Sequence, residues 1–333
     1  MRHYWLLLIT IIFLSACGQS DEQKIRLSAQ EKAILKTEDS LALKVGVMPT
    51  IDCLPIFVAK ESRMFDTLGV DVRLRMFNAQ MDCDTALAGG SVEGSVTDLV
   101  RAFKLEGEGT MLTFPISTNQ YWQLITNRSA RLRELKQLND KMLAVTRFSA
   151  TDYLADYALD SVKLKHDYVY RPQINDVQIR LNMILNKEMD AMFLPEPQAT
   201  AARMAKHKVI MDSRDKNIYL GVIAFRHDDM RESRRHKQLE CFIKAYDMAV
   251  DSINRYGTKH YSNIIQRYCI VKKNVADSLP SMKFLHHAAP RQIDIEKAKT
   301  WLTSKGIESS YKAKQTNKKR IKIESGRNKK LRK

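Results

Sequence analysis

The chain has 333 residues, with 55 Lys and Arg against 38 Asp and Glu and a formal net charge of +17. That charge is uneven: residues 312–333 hold eleven Lys or Arg against the single Glu324, so the remainder is only mildly basic. The body therefore lacks the broad basic surface that tracks nucleic acid, and its length allows two modest domains.

Arg2 and His3 precede Tyr4 to Leu14, an almost wholly apolar run of eleven residues. Such a run is too short to span about 30 Å of hydrocarbon as a helix, but it suits the apolar core of an export signal. Leu14-Ser15-Ala16-Cys17 follows and resembles the lipobox of bacterial lipoproteins. The resemblance implies cleavage before Cys17 and lipid on its thiol. Residues 1–16 are thus expected to be a signal peptide, and the chain to be lipid-anchored at the cell envelope, facing the periplasm or exterior. Residues 17–40 are polar and read as a lipidated stalk with a helical turn in Leu27 to Thr37. No second apolar run is long enough to cross a membrane. Residues 311–333 read as a solvated, basic tail.

The folded part opens with a strand at Leu41 to Met48, ended by Pro49, and a helix at Pro55 to Ser62. Phe65 to Gly69 turn the chain into an alternating strand, Val70 to Phe77. A short helix at Cys83 to Leu87 closes on Gly89-Gly90, a strand runs from Gly94 to Thr97, and a helix begins at Asp98. Strands at Thr110 to Pro115 and Tyr121 to Thr126 flank a brief connection. The pattern then repeats: strand Lys141 to Thr146, helix Thr151 to Leu159, strand Tyr168 to Tyr170, helix Val177 to Leu185, strand Asp190 to Leu194, a helix from Glu196-Pro197 to Met204, and strand Val209 to Met211. Asn217 to Phe225 reads as a return strand. Helices at Gln238 to Arg255, Lys259 to Cys269 and Ile293 to Lys305 surround an irregular stretch at Pro280 to Pro290. This alternation argues for an α/β fold with largely parallel sheets. Residues 41–116 with 222–310 are expected to form one lobe and residues 117–221 the other, joined by two crossings with a cleft between them.

Several segments, in this order and spacing, resemble a known family: Lys44 to Pro49, Phe57 to Phe65, Leu68 to Val72, Thr85 to Gly90, Thr97-Asp98, and Leu185 to Ala191 leading to Glu196-Pro197. The resemblance is to the type-II periplasmic solute-binding proteins of ABC importers, in the branch that includes binders of sulfonates, nitrate and thiamine-precursor pyrimidines and is related to the yeast pyrimidine synthase. It implies a two-lobed type-II periplasmic-binding-protein fold with a hinge and interlobe cleft. It also implies capture of a small solute by lobe closure and delivery to the transmembrane subunits of a permease, without covalent chemistry or cofactor. A monomer without a nucleic-acid partner is expected. An enzyme on the same fold and an envelope sensor are the alternatives of a different class; no nucleophile-base pair or glycine-rich phosphate loop supports the enzyme.

In open α/β sheets ligands bind beyond the carboxyl ends of strands. That rule selects Thr50, Asp52 and Cys53, then Thr97 and Asp98, Asn119, Tyr121 and Trp122 at the crossing, Ser149 and Thr151 before a helix, and Glu196 before another. Ser149 or Thr151 can cap the helix that follows, or leave its N–H groups for a sulfonate, phosphate or carboxylate, with which Asp152 would compete. Glu196 can either offset a helix dipole or meet the solute. Asp52, Asp98 and Glu196 favour a solute rich in donors, such as an aminopyrimidine, with Trp122, Tyr121 or Tyr153 stacking on its ring; sulfonate or nitrate is the alternative. Each aromatic can equally pack within its own lobe. Asp52-Cys53 and Asp82-Cys83-Asp84 lack a nearby His, so no metal is expected. Cys53, Cys83, Cys241 and Cys269 allow three full pairings, which remain open.

Overall fold

The computed structural model describes residues 21–307 except Asn119. The signal peptide, Cys17, Asn119 and the basic tail thus lie outside the described residues. One compact unit ends at Ala42 and a second begins at Leu43.

In the first unit, α1 (Asp21–Leu41) is one continuous helix, where the sequence suggests a stalk with a single helical turn. The segment holds neither Gly nor Pro and is rich in Ala, Leu, Gln, Glu and Lys, the residues that lose least on entering a helix. Its side chains from Glu31 to Glu38 are exposed, so propensity rather than burial accounts for it.

The second unit contains two five-stranded sheets. Sheet one receives β1 (Leu43–Val47), β2 (Val72–Met76), β3 (Gly94–Asp98) and β4 (Leu112–Ser117). Between them lie α2 (Leu54–Glu61), α3 (Met64–Thr67), α4 (Gln80–Ala88) and α5 (Leu99–Gly107). The chain then crosses to sheet two, built from β5 (Gln123–Thr126), β6 (Lys141–Ala144), β7 (Val169–Tyr170), β8 (Ala191–Leu194) and β9 (Lys208–Asp212). Here α6 (Ala150–Ser161), α7 (Val177–Leu185) and α8 (Gln198–Met204) are the connecting helices. The second crossing returns the chain to sheet one as β10 (Gly221–Arg226). It is followed by α9 (His227–Met230), α10 (Ser233–Tyr256), α11 (Ser262–Cys269), α12 (Lys273–Asp277) and α13 (Gln292–Ser304).

The strand orders are β2-β1-β3-β10-β4 and β7-β6-β8-β5-β9. β1 is parallel to β2 and β3, and β6 to β7 and β8. In contrast, β10 is antiparallel to β3 and β4, and β5 to β8 and β9. The sheets are therefore mixed rather than largely parallel. The physical reason is the crossing itself: a chain arriving from the other sheet enters at the carboxyl ends of the parallel strands and has to run back along them. The two crossing segments also touch. A Cβ on Gly221 would collide with the side chains of Thr118 and Gln120, so only glycine admits this approach.

The core of sheet one is covered by α2 and α10, whose Phe57 and Phe242 are fully buried. Phe242 stacks on Phe65 at 5.5 Å and meets Phe225 of β10 edge-on at 5.4 Å. Each such buried ring contributes about 1.5–3 kcal/mol. The core of sheet two is continuous with α5 and α13: Leu99, Val100 and Phe103 join Leu124, Leu154, Ala298, Trp301 and Leu302 in one cluster. The Trp301 indole N–H donates to Asp156 of α6 at 2.8 Å, and its ring meets Tyr153 edge-on at 6.1 Å. Helix α13 thus straps α5, beside sheet one, to α6, beside sheet two.

Candidate functional site

The carboxyl ends of β1, β3 and β6 and the loop after β8 converge on a cavity of about 50 Å³ between the two sheets. Of the residues expected there from sequence, Thr50, Asp52, Thr97, Asp98, Trp122, Ser149 and Thr151 line it. Gln80, Gln120, Thr146 and Arg180 complete most of its polar wall.

Asp52 sits in the short 3-10 turn Ile51–Cys53 that follows β1. It is buried, and its Oδ1 has no hydrogen-bond partner. Desolvation pushes its carboxyl up to about 6, although the Thr50 and Thr118 hydroxyls counter part of that rise. Asp98 ends β3 and caps α5, accepting the Arg101 N–H at 3.0 Å. Burial brings it to about 6 as well, against the Arg101 guanidinium and the N–H groups of Arg101 and Ala150. Because Ala150 opens α6, a carboxylate from sheet one faces the N-terminus of a helix from sheet two. The internal acid thereby takes the place that a bound anion would otherwise occupy. Thr97 Oγ1 donates to Asp84 at 3.4 Å, and Asp84 forms a buried pair with Arg101.

On the opposite wall the hydroxyls are already engaged. Ser149 is the N-cap of α6 and accepts the Thr151 N–H at 3.1 Å while donating to the Thr146 carbonyl at 2.6 Å. Thr151 Oγ1 accepts the Thr146 N–H at 3.0 Å, and Asp152 accepts the Phe148 N–H at 2.9 Å. Of the two roles left open for this turn, capping is the one its hydrogen bonds fill.

Arg180 is the residue that sequence reasoning passed over. It lies on α7, where Val177, Arg180, Leu181 and Ile184 are the buried positions. A guanidinium on the apolar face of an amphipathic helix is the signal that marks it. Nη1 donates to the Phe193 carbonyl at 3.2 Å, and Nε is buried without a partner. Desolvation brings it down to about 10, opposed by the Asp176 carboxylate that caps the same helix one turn earlier. A buried cation without a paired carboxylate is costly, and it lines the cavity.

The two lobes are bonded across the cleft. Ile51 N–H donates to the Glu196 carbonyl at 2.8 Å, Gln198 Nε2 to the Pro49 carbonyl at 2.7 Å, and Val177 N–H to the Asn78 carbonyl at 3.2 Å. Gln120 Oε1 and Gln198 Oε1 remain buried and unpartnered.

Three expected site residues lie outside the cavity wall. Cys53 turns into the core, where its Sγ accepts the Met48 N–H at 3.5 Å and burial raises the thiol. Glu196, joined to Pro197 by a cis peptide, is fully buried and pairs with Arg203 at 2.7 Å while accepting the Thr200 N–H at 2.9 Å. Tyr121 donates its hydroxyl to Glu196 at 3.0 Å, and its ring carries the Arg214 guanidinium at 3.7 Å. Tyr153, weighed as a stacking partner, packs on Trp301 instead. Cys53, Cys83, Cys241 and Cys269 are all free thiols, and no group of three or more metal-ligating side chains forms among the described residues. No described helix is long and apolar enough to cross a membrane.

Two mixed α/β sheets joined by two crossings, with a cavity where the strand ends meet, define the type-II periplasmic-binding-protein architecture. The NMT1-like family profile matches residues 36–214, more than half of the chain, and the chain belongs to that family. The alkanesulfonate-binding protein SsuA of Xanthomonas axonopodis pv. citri, solved bound to MOPS, is similar in structure with a TM-score of 0.67 at 13% identity, covering 80% of this chain and 93% of that one. The ligand-binding component of an ABC-type import system from Staphylococcus aureus, solved with zinc bound, gives the same values. The periplasmic nitrate-binding protein NrtA of Synechocystis PCC 6803 aligns with a TM-score of 0.63 at 12% identity, over 74% of each chain. No curated protein sequence matches the chain.

Proposed function

We propose that this protein is an extracytoplasmic solute-binding lipoprotein that holds a small oxyanion, a compact sulfonate or nitrate, between its lobes and passes it to the transmembrane subunits of an ABC permease. Arg180 carries this reading, since its desolvated guanidinium lines the cleft with Nε unpartnered, and a bound anion would complete it. A cavity of about 50 Å³ holds roughly four water-sized groups, which suits an ion of this size. Closure is a population shift, because a solute touches both walls only when they are together. The lipid on Cys17 would keep the protein beside the permease, and the proposed role requires no cofactor and no nucleic acid.

A second reading keeps the nitrogen heterocycle, such as a thiamine-precursor pyrimidine. The unpartnered Oδ1 of Asp52 favours a donor on the solute, and Trp122 supplies an aromatic surface. A heterocycle needs a wider cleft than the one observed. Thermal-shift measurements with methanesulfonate, nitrate and an aminopyrimidine separate the two readings. The oxyanions are expected to raise the melting temperature of the native chain but not that of Arg180→Met. A shift with the aminopyrimidine alone would reject the oxyanion. Co-purification of a permease would distinguish transport from an envelope sensor.

A further inference from the structure

Behind the two crossings lies a second cavity of about 420 Å³, within the size range of ordinary small-molecule sites. Its walls come from the crossings, through Thr118, Tyr121, Arg214 and Tyr219, and from the irregular segment 281–291. That segment lacks secondary structure but is pinned at several points. Asn254 bonds both the N–H and the carbonyl of Phe284, at 2.9 and 2.8 Å. Ser117 N–H donates to the Ala288 carbonyl at 2.7 Å, His286 pairs with Asp251 at 2.8 Å, and Arg291 pairs with Asp294 at 2.6 Å. The cavity is therefore bounded by a braced wall rather than a loosely packed loop.

Its chemistry differs from that of the cleft. Ile51, Met282, Phe284, Leu285, Ala288 and Ala289 make most of the lining apolar. Two polar groups are incompletely used. Asp52 reaches this cavity as well as the cleft, with its Oδ1 buried and unpartnered. Arg214 bonds Asp212 through Nε and Nη2 and stacks on Tyr121, which leaves Nη1 without a bonding partner among the described residues. A carboxylate oxygen lacking a donor and a guanidinium with a spare N–H, in an apolar and aromatic enclosure, specify a ligand with three parts. It needs a flat apolar body, an anionic group for Arg214 and an N–H or O–H for Asp52.

We propose that this hinge cavity is a second small-molecule site, separate from the cleft, for an aromatic monoanion that also carries an amino or hydroxyl donor. Because Asp52 belongs to both walls, a donor bound from the hinge side holds its carboxylate ionised and weakens an anion in the cleft. Linkage makes the effect reciprocal.

The experiment uses the intact chain, with 4-aminobenzoate and benzoate as probes in isothermal titration calorimetry. 4-Aminobenzoate is expected to bind at least about tenfold more tightly than benzoate, as the loss of one hydrogen bond to a charged group predicts. Ala288→Trp, which fills the cavity away from the cleft, is expected to reduce 4-aminobenzoate affinity by about tenfold or more. It should leave methanesulfonate binding within about twofold, whereas Arg180→Met should do the reverse. Ala289→Leu provides a milder filling of the same space, and the melting temperature of each variant establishes that it is folded. Equal affinity for the two probes, no binding of either, or loss of 4-aminobenzoate binding in Arg180→Met would overturn the hinge site. The hinge measurements stand alone: if methanesulfonate fails to bind the native chain, the cleft reading falls while the hinge result is still decided by Ala288→Trp.

Discussion

The cleft cavity and the hinge cavity share the wall at Asp52 and differ in nearly everything else. The cleft is small and polar, lined by side chains whose hydrogen bonds are mostly spent on caps and turns, with Arg180 Nε and Asp52 Oδ1 left unpartnered. The hinge cavity is several times larger, mostly apolar, and two of its cationic side chains, Arg214 and Arg291, are each paired with an aspartate. Between these two, volume alone would select the hinge cavity as the binding site. Electrostatics selects the cleft, because a desolvated guanidinium costs several kcal/mol unless something completes it, whereas Arg214 and Arg291 already have carboxylate partners.

The contrast can be broken most severely at Glu196, which anchors the hinge-side Tyr121 and the cleft-side loop after β8 together. Glu196→Ala leaves Arg203 without its carboxylate and the Thr200 N–H without its acceptor, and is expected to cost about 3–5 kcal/mol in urea unfolding. An effect under about 1 kcal/mol would mean that the two cavities are not braced by a common carboxylate. Arg180→Met is expected next. Cleft anion affinity should fall by about 2 kcal/mol or more, some 30-fold, while the ligand-free protein becomes more stable by about 1–4 kcal/mol. Calorimetry and denaturant melts read these opposite signs; loss of stability together with affinity would make Arg180 a structural residue.

Asp52 provides the pH test. Its carboxyl stands at about 6 against an ordinary 3.8, so between those values the native chain binds more protons than the unfolded one and stability falls as pH rises. The cost is absent below about pH 4 and complete above about pH 6. Asp52→Asn should remove this part of the pH slope and raise stability at pH 7 by up to about 3 kcal/mol. In the native protein, oxyanion affinity should weaken as pH rises through about 6, since the ionised carboxylate repels it. A protonated amine would show the opposite trend. The smallest effect is expected at Gln198→Leu, which removes one cross-cleft hydrogen bond to Pro49. A shift of about 1 kcal/mol toward the open form is expected in small-angle scattering.

Much of the architecture was legible from residue order. The strands around Val45, Val96 and Phe193 show dense β-branched or aromatic runs, and the helices after them start at Pro or Asp signals that remain in place as caps or first turns. The mixed sense of the sheets was not legible, because the direction of β5 and β10 follows from where the chain enters each sheet and not from their composition. Within the candidate site, strand-end topology selected Asp52, Asp98 and Trp122 for the cavity wall. The same rule could not tell that neighbouring Cys53 and Tyr121 point elsewhere, since adjacent residues in a turn diverge by angles that only packing sets.

The sequence by itself determined the alternation of strands and helices, the two-sheet division and the strand ends near which a ligand can sit, because periodicity and caps are local properties. The tertiary structure decided which charges are left without partners. Arg180 looks like one of many basic residues until α7 buries it in the cavity wall with its Nε unpartnered, and Asp52 becomes a shared wall only when segment 281–291 folds behind the crossings. Desolvation and pairing depend on neighbours distant in the chain, and those neighbours are what folding supplies.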